Sequence, residues 1–232
     1  MKLNKLSRLA ASLASCLVIS STASASIWVE SGSTGAGDLL ATAQTTFDSA
    51  FNPLTGITGF LTATTSVNST PLYQVDLYKI RISDFTTFSA ATVSNAPDDT
   101  ALFLFDAFGQ GVYMNDDNGV DLLSTLAAGD PNAPTSNGVY YLAVALGGYS
   151  AMDGANSIFN LTGGPISFGA LSGWQEGFPA GTSSAFAYDI VLTGATNGEL
   201  PEPGSIGLIL AGGMAAWLSR RRPSPLRAKT AA

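Results

Sequence analysis

The apolar positions of this chain fall into three regimes. Near each end they form an uncharged run beside a cluster of positive charge, and between, over residues 26–200, they come in short stretches separated by turn formers. The middle regime predicts strands. Tyr78-Lys79-Ile80-Arg81-Ile82 alternates apolar and charged residues, the two-residue period of a strand with one face on a core and the other in water. Ala101 to Phe105 and Val139 to Leu146 are almost wholly apolar, which fits central strands buried on both faces. Phe186, Tyr188, Ile190 and Leu192 alternate with Ala187, Asp189 and Val191 in a last strand. Weaker candidates are Ile57 to Ala63, Phe85 to Val93 and Val112 to Asn115, and only Asp38 to Phe51 could form a short helix.

Gly, Asn, Asp, Ser and Pro fill the gaps, because they adopt turn conformations at little cost. Asp106-Ala107-Phe108-Gly109-Gln110-Gly111 reads as a hairpin turn with a glycine at positive φ. Strands at this spacing predict a mainly β fold, a sandwich or barrel, over residues 26–200. The segment from Gly147 to Ser184 is the exception. It is rich in Gly, Ser, Asn and Pro and carries Tyr149, Phe159, Phe168, Trp174 and Phe178. Segments of this length either serve function or conceal short strands.

The ends read as addresses. Lys2, Lys5 and Arg8, an apolar stretch through Leu9, Leu13, Leu17, Val18 and Ile19, and the small residues Ala23-Ser24-Ala25 make residues 1–25 a signal peptide cleaved after Ala25. The Sec translocon and signal peptidase are its expected partners. Leu13-Ala14-Ser15-Cys16 also fits a lipobox, in which Cys16 would be acylated. Cys16 is the only cysteine, so cleavage at Ala25 leaves a body without any disulfide, whose stability must come from a core.

At the other end stand Pro201-Glu202-Pro203-Gly204, an uncharged run from Ser205 to Leu218, and Arg220-Arg221-Arg222. A rigid turn, a short hydrophobic helix and a basic stop are the parts of a membrane-retained tail. Residues 201–222 resemble the PEP-CTERM sorting signal, and 223–232 read as a disordered extension. The resemblance implies recognition by an exosortase in a Gram-negative bacterium that makes exopolysaccharide. An inner-membrane-anchored intermediate and delivery to the outer surface or extracellular matrix would follow.

Removing the ends changes the electrostatics. Residues 26–200 contain two cations, Lys79 and Arg81, against sixteen carboxylates, a net charge of −14 where the whole chain carries −7. Such a body repels nucleic acid and anionic headgroups, and suits cations or neutral polysaccharide. Catalytic chemistry is narrowed as sharply. With no histidine, and no cysteine after processing, histidine-dependent triads, thiol nucleophiles and the usual zinc ligands are missing. Neither a Gly-x-Ser-x-Gly elbow nor a phosphate-binding loop occurs. Two carboxylates suffice for glycoside hydrolysis, but an acidic protein always offers a pair.

A second resemblance lies in Val75-Asp76-Leu77-Tyr78-Lys79-Ile80, Asp99-Thr100-Ala101-Leu102-Phe103-Leu104-Phe105-Asp106, Gly109 and Asn115-Asp116-Asp117. These are similar to the bacterial pre-peptidase C-terminal type of domain. That likeness implies a single jelly-roll-like β-sandwich, an accessory module of secreted proteins, some of which bind calcium. Asp98, Asp99, Asp106, Asn115, Asp116 and Asp117 are the candidate calcium ligands, since calcium takes six to eight oxygens of this kind. A hairpin would bring Asp99 or Asp106 near the Asn115 loop. The same residues also populate turns for conformational reasons alone. Trp174, beside Gln175 and Glu176, could stack on a sugar ring, or could cover one end of the core. The expectation is a non-enzymatic surface or matrix protein with a structural or adhesive role. A carbohydrate-binding module is the alternative, and a carboxylate-dependent glycosidase comes after it.

Overall fold

The computed structural model describes residues 24–32, 35–47, 52–65, 71–73, 75–93, 99–175 and 185–197. The signal peptide through Ala23, Asp98, and the tail with Pro201, Glu202, Pro203, Arg220, Arg221 and Arg222 lie outside the described residues. Within them the chain is mainly β and holds several sheets. No described helix is long and apolar enough to cross a membrane.

The first sheet is built from β1 (Ser26–Val29), β3 (Leu54–Thr65), β14 (Ala185–Thr193), β6 (Ser89–Thr92) and β9 (Thr125–Leu126), in that order, with β4 (Pro71–Tyr73) paired to the far end of β3. β1 runs parallel to β3, and the other neighbours are antiparallel. The second sheet has the order β15 (Ala195–Thr196), β5 (Asp76–Ile82), β10 (Gly138–Leu146), β7 (Thr100–Asp106) and β8 (Gly111–Asn115). Here β2 (Gln44–Thr45) shares the outer edge of β5 with β15. A third, small sheet joins β12 (Asn156–Ser157), β11 (Ser150–Asp153) and β13 (Gly173–Gln175).

The side-chain period of two sorts β7 between partners. Phe103 and Phe105 meet Phe159 and Trp174 of the third-sheet region, with centroids 5.1 to 6.1 Å apart. Thr100, on the opposite face, bonds Thr92 of the first sheet at 2.8 Å, so Leu102 and Leu104 point that way too. This is why Ala101 to Phe105 is continuously apolar: both faces are covered, and all five residues are buried. The described part of the Gly147 to Ser184 segment therefore conceals three short strands that roof the second sheet.

Two sequence expectations are corrected. Asp38 to Thr42 forms a turn that leads into β2 and no helix, because the Thr42 hydroxyl and the Leu39 carbonyl close it locally. Lys79 and Arg81 do not stand in open water. Both are half-buried over the Phe47 ring, at 5.6 and 5.4 Å from its centroid, where the cations meet an aromatic face.

The two ends of the described body meet. Ser26 donates its backbone N–H to Pro53 at 2.9 Å, Asn197 donates its own to Asn52 at 3.1 Å, and the Asn197 Nδ2 reaches Ser26 Oγ at 2.9 Å. Asn52 and Pro53 thus clamp the first strand of one sheet to the last strand of the other.

Candidate functional site

The β7–β8 hairpin decides which acidic residues come together. Asp106 begins the turn, where its Oδ1 accepts the backbone N–H groups of Phe108 and Gln110 while Gly109 takes φ 82°. Asp99 precedes the other end of β7, about 20 Å away at the usual rise of a strand. Asp106 is therefore not part of a site with Asp99. Asn115 faces Leu102 across the hairpin, and its amide is spent locally, Oδ1 accepting from Thr125 N and Nδ2 donating to Asp117 O. Asp99, Asp116 and Asp117 remain near one another. Among the described residues no group of three His, Cys, Asp or Glu side chains could hold a metal ion.

These three carboxylates have no cationic partner, since Lys79 and Arg81 are the only cations among the described residues and both sit on Phe47. Burial raises the Asp116 carboxyl to about 6, with the charges of Asp99 and Asp117 adding to it and the Gly148 N–H opposing it. Burial, then the Asp117 charge, raises Asp99 as well. Gly147 makes this possible: a Cβ there would collide with the Asp99 carboxylate. Asp116 Oδ1 is covered and has no hydrogen-bond partner.

Asp116 also lines a cavity of about 550 Å³ between the hairpin and the third sheet. Phe103, Tyr149 and Phe159 supply aromatic surface, and Ser150, Ser157 and Asn160 supply polar groups. Leu161 and Ile166 stand exposed beside them. Sequence reasoning named Asp116 and singled out the segment with Tyr149 and Phe159, but not that they line one space together. The signal was the density of aromatic and amide residues after Gly147, whose partner strand could not be read.

Trp174 lies on β13 and looks inward. Its ring stands edge-on to Phe103 and Phe105, and its Nε1 donates to the Asp38 carbonyl at 2.7 Å. It ties the third sheet to the turn before β2.

A chain of acids runs through the core between the two large sheets. Asp76 is fully buried, and its Oδ1 accepts Ala36 N at 2.8 Å while Oδ2 accepts the Tyr188 hydroxyl at 2.7 Å. Tyr78 Oη lies 2.5 Å from Tyr188 Oη. Hydrogen-bond donors favour the ionised acid, but burial outweighs them, and the Glu30 charge adds to it, so Asp76 is raised to about 7. Both phenols are pushed far up by burial. Glu30, at the end of β1, accepts Phe60 N at 2.7 Å and is raised by burial. It borders a second cavity, of about 480 Å³, with Gly59, Phe60 and Tyr188. Asp76 was legible as a departure, a carboxylate on the same strand face as Tyr78, Ile80 and Ile82. Compared with known proteins, the chain matches no family model, no curated protein and no solved structure.

Proposed function

We propose that this is an exported, non-enzymatic protein whose body, a jelly-roll-like β-sandwich, has a structural or adhesive role at the outer surface or in an exopolysaccharide matrix. In this reading residues 1–25 are removed as a signal peptide. Residues 201–222 are a PEP-CTERM-type tail handled by an exosortase. One observation carries it: the first described strand starts at Ser26, the last described residue is Asn197, and the two residues are bonded to each other. Ala25, the residue before the expected first cut, is exposed, and the Pro-Glu-Pro motif starts four residues past Asn197. Neither cut removes a strand of the described residues. The net charge of −14 keeps the released body off anionic lipid.

The cavity at Asp116 favours a second reading, a carbohydrate-binding module with the same address. Mass spectrometry of the mature protein from fractionated native cells tests the sorting reading. A start at Ser26, an end near Pro201 to Pro203 and recovery in the surface or matrix fraction are expected. An intact Arg220 to Arg222 tail in the inner membrane, or an acylated Cys16, would overturn it.

A further inference from the structure

The cavity between the β7–β8 hairpin and the third sheet has the make-up of a small-ligand site. Its volume of about 550 Å³ falls within the roughly 300 to 1,000 Å³ of such sites. Tyr149 and Phe159 give it aromatic walls, and Asp116, Ser150 and Asn160 give it polar groups that converge on the same space. A wholly apolar ligand would strip water from those groups without replacing it, which is unfavourable. An anionic ligand would meet Asp116 with Asp99 and Asp117 beside it and, among the described residues, no cation to offset them. What matches is a ring with an apolar face and an edge of hydrogen-bond donors, one of them positively charged.

We propose that this cavity binds a pyranose residue bearing a free amine, within a polysaccharide, with its ring face on Tyr149 and Phe159 and its ammonium on Asp116. Gly148 N–H serves the carboxylate and Oδ1 is covered, so Asp116 meets the cavity through the rest of its surface, where no cation stands beside it among the described residues. An ammonium brings three donors and a charge, and charge-assisted bonds are the strong ones in a site of low dielectric. The flanking carboxylates Asp99 and Asp117 add long-range attraction for the same charge and repel uronic acids. The inference rests on the reading of the protein as a matrix component, because it names the polymer that would hold the body there.

The test is calorimetric titration of the full chain in mild detergent, with chelator present, against oligomers of glucosamine, N-acetylglucosamine and glucuronic acid. Glucosamine oligomers bind, N-acetylated ones bind about tenfold more weakly or less, matching the loss of one charge-assisted bond, and the uronic acid oligomers do not bind. Asp116→Asn brings glucosamine oligomers down to the N-acetylated level. Asp84→Asn, a surface change at the opposite end of the second sheet, leaves them unchanged, which separates the site from general attraction of an acidic body for a polycation. Ile166→Trp, which fills the cavity from an exposed position, removes binding even if Asp116→Asn does not fold. Equal affinity for amine and acetamide, no binding of any oligomer, or equal effects at Asp84 and Asp116 would overturn the proposal. A sorting failure shows instead as intact termini in the inner membrane and leaves these isotherms as they are.

Discussion

Asp76 sets the pH response of the folded body. Its ordinary value is 3.8 and the fold raises it to about 7, so between those values the folded chain holds a proton that the unfolded chain has lost. The contribution of Asp76 to stability is then greatest below about pH 4 and falls as pH rises, until the whole effect, on the order of 4 kcal/mol, is reached above pH 7. Asp116 contributes in the same direction. The expected outcome is a melting temperature that is higher at pH 5 than at pH 8, opposite to ordinary acid denaturation. Asp76→Asn imitates the protonated acid: its Oδ1 still accepts Ala36 N, and its Nδ2 donates to Tyr188. It flattens most of the slope, and a variant that kept the native slope would assign the effect to general charge repulsion. Gly59 belongs to the same cluster by steric necessity. A Cβ there would lie 2.4 Å from both Glu30 Oε2 and Tyr188 Oη, so Gly59→Ala is expected to cost about 2 kcal/mol through crowding of a packed interior. Urea unfolding measures it, and a loss below about 0.5 kcal/mol would mean that Glu30 simply swings out.

The third sheet is an element with few bonds of its own, held down by aromatic rings. β12 and β13 are two and three residues long, and besides hydrogen bonds to the hairpin and to Asp38 they are fixed by Phe159 and Trp174 against Phe103 and Phe105. Trp174→Ala is therefore expected to destabilise the body by about 3 kcal/mol, the usual cost of deleting a large packed ring. Trp174→Phe keeps the ring contacts, loses the bond to Asp38, and costs nearer 1 kcal/mol. A Trp174→Ala chain with native stability would release this residue for ligand binding. The same region shows where sequence pattern stops being informative. β5, β7, β10 and β14 were legible because each carries a long alternating or continuous apolar run, and their register follows from burying that run. β11, β12 and β13 are too short for a period to show, and they exist because β7 offers a bare aromatic face. Lys79 and Arg81 were misplaced for the same reason: alternation assigned them to the outward face, but not the Phe47 ring that lies across it. Of the site, the carboxylates could be named from sequence, yet only the hairpin register separates Asp106 from Asp99 and leaves Asp116 at the cavity.

At the scale of the whole molecule, the two ends of the described body meet, and what that closure contributes is measurable. Ser26, Asn52, Pro53, Thr196 and Asn197 form one closed cluster, with Thr196 Oγ1 donating to the Asn52 carbonyl at 2.8 Å and Ser26 Oγ to the Pro53 carbonyl at 3.2 Å. The cluster joins the first large sheet, through β1, to the second, through β15. Cuts just outside it remove no described strand, whereas a cut inside removes the parallel partner of β3 and exposes the core beneath Trp28. A chain of residues 26–197 is therefore expected to unfold at the same temperature as one of residues 26–200, within about 2 °C. A chain of residues 31–197 should lose several kcal/mol, on the order of 3 or more, because Trp28 leaves the core with its hydrogen bond to Gln44. Differential scanning calorimetry of the three chains decides the matter. Equal melting of all three would mean that β1 is an ornament on β3. The clamp would then give no support to the proposed cuts on either side of it, and mass spectrometry alone would test them.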